Sequence, residues 1–315
     1  MKKKLYLAGM LVLAAALWGC GGEKKPASPY GEDGKLRKDV TLEEIRGIEK
    51  VYGDLIGVSY FHGGGMEGSS HDAMLIKEED GSCLVKTRDA GSISFPHIMR
   101  EYKTDGSAFT DLQELIEKDN LALWEDLPFD EEFMVMDAPS THLSLIYDES
   151  AAGGYSYKSY SIDYDNVLPE GAGDILRSFT KVMLSGVSPE NLIDEYFEID
   201  GEPVRTGRDA DLSDSQISRL VSGYWRESGT DTGISLYTFG LGDTLEYTVP
   251  DDGLYTEKSL TVRETVRAPW KEADTSFYVS LEDEEGQAWV MYLEKLSLIL
   301  EREDGSEMHL LERQD

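Results

Sequence analysis

Two histidines and two carboxylates lie close together in the sequence and are residue types that bind transition metals. His62 and His71 flank a glycine-rich stretch, with Glu67 between them and Asp72 beside the second histidine. Imidazole nitrogens and carboxylate oxygens bind Zn²⁺ and related ions, so these residues are a candidate metal site. The spacing follows no established zinc pattern, however, and a histidine at a strand end is commonly a solvated polar residue. At the level of the sequence both interpretations stay open.

A cluster of tyrosines is a second candidate site. Tyr155, Tyr157 and Tyr160 follow Gly153 and Gly154. Aromatic rings with a polar tip can stack against a sugar or a peptide, which predicts a ligand-binding surface here. Tyrosines are also common in strands, where their rings pack against neighbours, and that alternative stays open as well.

Familiar catalytic spacings occur only in fragments. Ser178 and Lys181 have the Ser-x-x-Lys spacing of penicillin-recognising enzymes, but the chain contains no Lys-Thr-Gly. Residues 209–214 begin like a calcium loop, yet Asp214 stands where that loop requires glycine. The sequence therefore predicts no catalytic residue and no cofactor. The alternative is a hydrolase of cell-wall or glycan material that uses acidic residues, whose pairing the sequence does not show.

The balance of acidic and basic residues excludes one class of partner. The chain of 315 residues has 62 acidic and 30 basic residues and a formal charge of −32. Such a charge repels the phosphates of nucleic acids, so we expect no nucleic-acid binding. The hydrophobic fraction of 40% is enough for a folded core, and the length suits about two domains. With only two cysteines the chain is not a disulfide scaffold.

The N-terminus has the composition of a secretory signal peptide. Lys2–Lys4 precede a largely apolar run from Leu5 to Trp18. This run is shorter than the roughly 20 apolar residues that a permanent membrane span requires. Its end, Leu17–Cys20, resembles the bacterial lipobox, in which a small residue precedes a cysteine that becomes lipidated. An ordinary cleavage site that contains a cysteine is the alternative.

The lipobox resemblance implies a lipid-anchored protein on the extracytoplasmic face of the cell membrane. Residues 1–19 would be removed as the signal peptide, and Cys20 would carry a diacylglyceryl group whose two chains hold a protein stably on a bilayer. Residues 20–40 contain no apolar period and are predicted to form a flexible tether. Loss of three lysines leaves 27 basic and 62 acidic residues, so the mature charge is 27 − 62 = −35.

Residues 41–200 are predicted to form an α+β domain. Runs with strand-like alternation are twice followed by a helical period, which is clearest over Ala172–Met183. Residues 55–184, with Gly63–Met66 after the first strand and Trp124 after the first long helix, resemble a domain of uncharacterised lipoproteins from Gram-positive bacteria. That family has no established activity, so the resemblance implies the fold alone.

A linker with a short helix is predicted over residues 201–217, and a small all-β antiparallel barrel over residues 218–315. Eight short alternating runs separated by turn residues are typical of a meander closed into a barrel. Gly223 and Trp225 match the Gly-x-Trp of lipocalins, and the segment resembles a small lipocalin-like domain. The resemblance implies that Trp225 packs across the barrel floor and that the interior holds a small apolar ligand.

These features predict a membrane-anchored extracytoplasmic lipoprotein with a non-enzymatic binding or interaction role. Its expected partners are the membrane, through the lipid on Cys20, and either a small apolar ligand or a cell-surface partner. The alternatives are the cell-wall or glycan hydrolase and a metal-binding surface protein.

Overall fold

The chain is mostly β-sheet with few helices. The computed structural model describes residues 28–64, 70–90, 96–129, 139–148, 157–227, 233–236, 244–251 and 254–313. The α-helices in these ranges are α1 (Leu42–Arg46), α2 (Ser107–Asp119), α3 (Ala172–Met183) and α4 (Asp214–Val221). None of these described helices combines the length and the apolar character that a membrane crossing needs.

The first eight strands form one antiparallel sheet. They are β1 (Asp54–Gly64), β2 (Ser70–Lys77), β3 (Cys83–Ala90), β4 (His97–Thr104), β5 (Pro139–Asp148), β6 (Lys158–Asp163), β7 (Leu192–Ile199) and β8 (Glu202–Val204). Their order across the sheet is β6-β5-β1-β2-β3-β4-β7-β8, so β6 and β8 are its edges. The turn at Asp80-Gly81 joins β2 and β3.

Helices α2 and α3 cover one face of this sheet, called the helix face below. Leu75 and Val85 of the sheet lie in one buried cluster with Leu112 of α2 and Phe179 of α3. Successive side chains of a strand point to opposite faces of the sheet. The side chains that alternate with those of the helix face form the opposite face, called the outer face.

The last eight strands curl into a barrel. They are β9 (Gly223–Glu227), β10 (Gly233–Leu236), β11 (Thr244–Asp251), β12 (Leu254–Val266), β13 (Tyr278–Asp283), β14 (Ala288–Glu294), β15 (Ser297–Arg302) and β16 (Met308–Arg313). Neighbours in sequence pair from β10 to β16, and β9 pairs with both β10 and β16, which closes the ring. Each strand predicted from the sequence in this segment is present, with shifted ends.

Large apolar side chains fill the described part of the barrel interior. Trp289, Met291, Leu298 and Leu300 expose no surface at all. A void large enough to hold a water molecule beside them would leave part of their surface accessible. The described interior is therefore solid at these positions.

The end of the barrel beside α4 is closed by stacked side chains. Trp225 is buried there, and its indole N–H donates to the Val221 carbonyl at 2.8 Å. The guanidinium carbon of Arg313 lies 4.7 Å from the centre of the Trp225 ring. Trp225 is therefore part of the packed core at this end of the barrel.

The barrel packs against the helix face at the corner formed by β4, β7 and β8. Ile98, Phe197 and Val204 of the sheet belong to the same apolar cluster as the barrel interior and Leu220 of α4. Arg313, on the last strand of the barrel, also donates to the Pro96 carbonyl at 3.3 Å. The sheet and the barrel therefore share a core, and their contact is called the seam.

The sequence patterns predicted no strand at β4, β7 or β8. β4 and β7 carry Lys, Arg, Asp and Glu between their apolar residues, and these charged residues are mostly rare in strands. β8 has three residues and lies inside the predicted linker 201–217, whereas the sheet incorporates it. Pairing with neighbours, rather than local propensity, makes these segments strands.

Candidate functional site

A single row of side chains crosses the helix face from β5 to β8. Antiparallel partners in register place their side chains on the same side of a sheet, so each pair extends the row by one strand. In spatial order the row is Thr141, His62, His71, Asp89, Ile98, Phe197 and Val204. Its last three residues are apolar and belong to the seam, while its first four are polar.

Both histidines of the row are held through their Nδ1 atoms. His71 Nδ1 lies 2.5 Å from Asp89 Oδ1, and His62 Nδ1 lies 2.6 Å from Thr141 Oγ1. The second oxygen of Asp89 accepts a hydrogen bond from Arg100 Nη1 at 3.1 Å. Because a carboxylate only accepts, neutral His71 carries its proton on Nδ1 and the lone pair on Nε2.

The structure assembles part of the predicted metal set. His62 and His71 are direct cross-strand partners. The Asp72 side chain lies on the outer face, where Arg88 Nη1 pairs with it at 2.9 Å, so its assignment to the same site is wrong. Glu67 lies outside the described residues. Within the described ranges, no group of three or more potential ligands is placed to hold a metal ion.

A cleft of about 350 Å³ opens where the polar row approaches the barrel, and we call it the seam cleft. Its sheet side is lined by Asp89, Ile98, Arg100 and Glu195. Arg100 and Glu195 are cross-strand partners, one row along the helix face from Ile98 and Phe197. Its barrel side consists of the turn between β14 and β15 and the end of β16. The barrel residues are Glu294, Lys295, Leu296, Ser297, Glu312 and Arg313.

Side chains of both charges surround the seam cleft. Asp89 is paired with Arg100 and His71, and Glu195 Oε1 lies 3.7 Å from Lys295 Nζ. Four carboxylates and three cations line the space, which is close to balance in a chain of formal charge −32. Hydrogen-bond donors and acceptors therefore lie side by side around one concave surface.

No family model, curated protein or solved structure matches this chain. The two domain resemblances noted in the sequence therefore remain predictions. The binding chemistry of the seam cleft has to follow from its own residues.

The structure does not assemble the predicted tyrosine surface. Tyr160 is buried in the core between sheet and helices, with its ring edge-on to Tyr147 at 5.8 Å. Its assignment to a stacking surface is wrong, because alternation along β6 turns it toward the helix face. Tyr157 lies just before β6 and is 69% exposed. Tyr155 lies outside the described residues.

Sequence reasoning missed Arg100, Glu195 and Lys295 as site residues. They lie on β4, on β7 and in the turn after β14, so no local spacing connects them. One signal was available: Phe197 and Ile199 alternate with charged residues, which is the pattern of a half-buried strand. The high acid content of that segment obscured the pattern.

Proposed function

We propose that this protein is a membrane-anchored extracytoplasmic lipoprotein that binds a small polar ligand in the seam cleft without chemically changing it. The observation that carries the proposal is the cleft between sheet and barrel, lined by side chains of both charges. Contacts between folded units are preferred positions for small-molecule sites, and a volume of about 350 Å³ is near the lower end of the usual range. A ligand rich in hydroxyl or amide groups, such as a saccharide or a peptide fragment, complements this lining.

The description of the fold as an α+β domain followed by a lipocalin-like barrel is part of this proposal. The buried position of Trp225 beneath Arg313 supports it. The solid interior around Trp289 and Leu300 argues against the small apolar ligand that the resemblance implied. We therefore place the ligand in the seam cleft rather than inside the barrel.

The pairing of the carboxylates favours binding over hydrolysis. A glycoside hydrolase of the usual type needs one carboxyl group that donates a proton and a second that remains ionised. In the seam cleft Asp89 is held by Arg100 and His71, and Glu195 by Lys295. Both carboxylates are thus already engaged by side chains of the protein itself.

Titration of the mature protein lacking Cys20 with chitotriose and with trialanine tests the proposal. We expect one of the two probes to bind, and we expect Arg100→Gln to weaken that binding about tenfold because it removes a charged donor. Arg177→Gln is the matched control, since Arg177 pairs with Asp174 on the exposed side of α3. Equal affinity in both variants, or no binding of either probe, would contradict the proposal; a shortened product would point to the hydrolase.

The membrane anchor needs its own test, because Cys20 lies outside the described residues. Metabolic labelling with palmitate in a Gram-positive host should label the wild type and leave Cys20→Ser unlabelled, with the variant released from the membrane fraction. Retention of unlabelled Cys20→Ser on the membrane would rule out lipid anchoring at this residue.

A metal-binding surface is a second candidate, and the cross-strand pair of histidines favours it. His62 and His71 lie on the same side of the sheet, and Asp89 holds His71 as a carboxylate holds a zinc-ligating histidine. Calorimetric titration with Zn²⁺ should then give heat that His62→Ala abolishes. His142→Ala is the control, because His142 follows Thr141 and stacks on Phe61 at 4.8 Å on the outer face. If His62→Ala still gives the heat of zinc binding, as the control His142→Ala should, this pair of histidines does not bind zinc.

A further inference from the structure

The described chain begins with a small hairpin that packs against the folded body. Tyr30 and Leu36 form an isolated β-bridge, and the Leu36 N–H donates to the Asp126 carbonyl at 2.9 Å. Leu36 and Val40 are buried in the core cluster between the sheet and the helices. The part of the predicted tether that follows residue 30 therefore lies against the sheet domain.

Only a short stretch of chain separates this hairpin from Cys20. Cys20 and Ser28 are eight positions apart in the sequence. An extended chain spans at most about 3.6 Å per residue, so Cys20 lies within about 29 Å of Ser28 whatever path the chain takes. Ser28 is itself beside the hairpin, since its Oγ accepts a hydrogen bond from the Tyr30 N–H at 3.2 Å. A lipid on Cys20 therefore keeps the hairpin close to the bilayer.

The hairpin lies at the β6 edge of the sheet, and the barrel lies at the opposite edge. The 3₁₀-helix Leu121–Asp126, whose last carbonyl binds the hairpin, packs against β6. The barrel core instead includes residues of β4, β7 and β8. Five strand spacings separate β6 from β4, which is about 24 Å along the sheet. The hairpin end can thus face the membrane while the barrel lies away from it.

Exposed apolar and basic side chains lie together at this edge. Tyr157, just before β6, is 69% exposed, and Val51 is 78% exposed. The residues next to them in sequence, Lys50 and Lys158, place their ammonium groups 4.2 Å and 4.1 Å from the centre of the same Tyr160 ring. Tyrosine rings and long lysine side chains are favoured at the boundary between water and lipid. The surface formed by Lys50, Val51, Tyr157 and Lys158 is called the anchor edge.

Charge is distributed unevenly between the hairpin end and the rest of the chain. Residues 20–50 contain seven basic and seven acidic residues, whereas residues 51–315 contain 20 basic and 55 acidic residues, so these later residues account for the whole mature charge, 20 − 55 = −35. Glu125 interacts with both lysines of the anchor edge, whose charges oppose its own. An anionic leaflet repels acidic surface that comes within about a Debye length, roughly 8–10 Å. Repulsion is therefore smallest when the hairpin end faces the membrane.

We propose that the anchor edge docks on the surface of an anionic lipid bilayer and holds the barrel and the seam cleft clear of the membrane. The proposal rests on the proposed lipid at Cys20, which supplies the proximity, whereas the anchor edge supplies the orientation. Tyr157 and Val51 enter the interface, and the ammonium groups of the lysines reach the lipid phosphates. A polar ligand then reaches the seam cleft from the extracytoplasmic space.

Coupling of the mature protein to a maleimide lipid through Cys20 tests the orientation without relying on lipidation in a cell. The other cysteine, Cys83, is buried, so coupling is directed to Cys20. On vesicles of phosphatidylcholine and phosphatidylglycerol, we expect slower hydrogen exchange at residues 30–36, 50–53 and 157–163 than in protein capped with a soluble maleimide. Exchange in the barrel should be unchanged. Slower exchange in the barrel instead, or in no segment, would overturn the proposal.

Tyr157→Asp tests the contact itself. It should abolish the slower exchange on vesicles, because it removes an aromatic ring from the interface and adds a charge that the leaflet repels. Tyr224→Asp is the matched control, since Tyr224 is an exposed tyrosine on the outside of the barrel. Slower exchange that survives Tyr157→Asp, or that both variants abolish equally, would refute docking through the anchor edge.

Three further outcomes separate this proposal from the proposed function and from another occupant. If palmitate does not label the wild type at Cys20, the lipid anchor itself fails. If labelling succeeds but the vesicle-coupled protein shows no slower exchange, the orientation alone fails. If the capped protein shows the same slower exchange when concentrated without vesicles, the anchor edge binds a second copy of this chain and the bilayer proposal is wrong.

Discussion

The carboxylate of Glu301 is buried on the outside of the barrel, under the loop that carries Trp270. It accepts hydrogen bonds from Trp270 Nε1 at 2.5 Å, Lys271 Nζ at 2.9 Å and Tyr292 Oη at 3.4 Å. Burial, the largest single effect, raises the pKa of Glu301, but these donors and the charge of Lys271 together hold the pKa below its usual value. A buried carboxylate with three donors is stabilised in its ionised form.

At the scale of single residues, the lowered pKa of Glu301 predicts a pH dependence of stability. A lowered folded-state pKa contributes stability that is fully present above the unfolded value of about 4.3 and is lost as the pH falls through the folded value. At pH 7 Glu301→Gln should lower the free energy of unfolding by about 1–3 kcal/mol. In urea titrations this difference should shrink below about pH 4.

The control for Glu301 is Glu272→Gln, on the same loop but exposed. It should change stability by less than about 0.5 kcal/mol at any pH. A Glu301→Gln difference that stays constant from neutral to acidic pH would show that the lost hydrogen bonds, and not the charge, account for the effect.

At the scale of elements, the packed barrel interior predicts a large cost for removing a buried side chain. Leu300 of β15 lies opposite Met291 of β14, and both are fully buried. Leu300→Ala should lower the free energy of unfolding by about 2–5 kcal/mol, because it removes buried methyl groups and leaves a cavity. Leu310→Ala, on the neighbouring strand and 50% exposed, should cost much less.

The same pair of variants tests whether the barrel carries an apolar ligand. An engineered apolar cavity of this kind stays dry and can take up a small hydrocarbon. Benzene should raise the melting temperature of Leu300→Ala and leave the wild type and Leu310→Ala unchanged. Stabilisation of the wild type by benzene would mean that the native interior already has a ligand cavity.

At the scale of the whole molecule, the shared core couples the sheet to the barrel. Phe197 of β7 is buried in the barrel cluster, and Arg313 of β16 lies over its ring at 5.5 Å. Phe197→Ala should therefore destabilise both units together, by about 3–5 kcal/mol. A Trp124→Phe background leaves the described tryptophans on the barrel side, so fluorescence then follows the barrel and far-ultraviolet circular dichroism follows the whole chain.

If fluorescence and circular dichroism report the same urea transition, and Phe197→Ala shifts it equally in both, the sheet and the barrel unfold as one cooperative unit. Two separate transitions, of which Phe197→Ala moves only one, would show that the seam is a weak contact. Ile193→Ala is the control for the shift of the urea midpoint that Phe197→Ala causes. Ile193 lies four residues earlier on β7 and is largely exposed.

Local chemistry allowed many elements to be predicted from the sequence. Thr41 with Glu44 and Ser213 with Gln216 have the spacing of capping boxes, and α1 and α4 begin at them because these side chains satisfy the first free N–H groups. The apolar period over Ala172–Met183 predicted a helix where α3 lies. Alternation predicted the strands of the barrel, since a half-buried strand needs one apolar face.

The candidate site could be predicted only in part. His62 and His71 were identified because histidines near carboxylates are conspicuous in the sequence. Asp72 was assigned with them by proximity, but adjacent strand residues face opposite ways. Arg100 and Glu195 could not be found this way, since they meet only when β4 and β7 pair in one register.

The sequence by itself determined the acidic charge, the helix caps and the apolar alternation of the barrel strands, because these depend on composition and on neighbouring residues. Tertiary structure alone decided which strands pair and in what register. Long-range pairing is set by burial summed over a whole sheet, and a slip of one residue would turn every side chain to the other face. Only that register places Asp89 beside His71 and opens the seam cleft at Glu195.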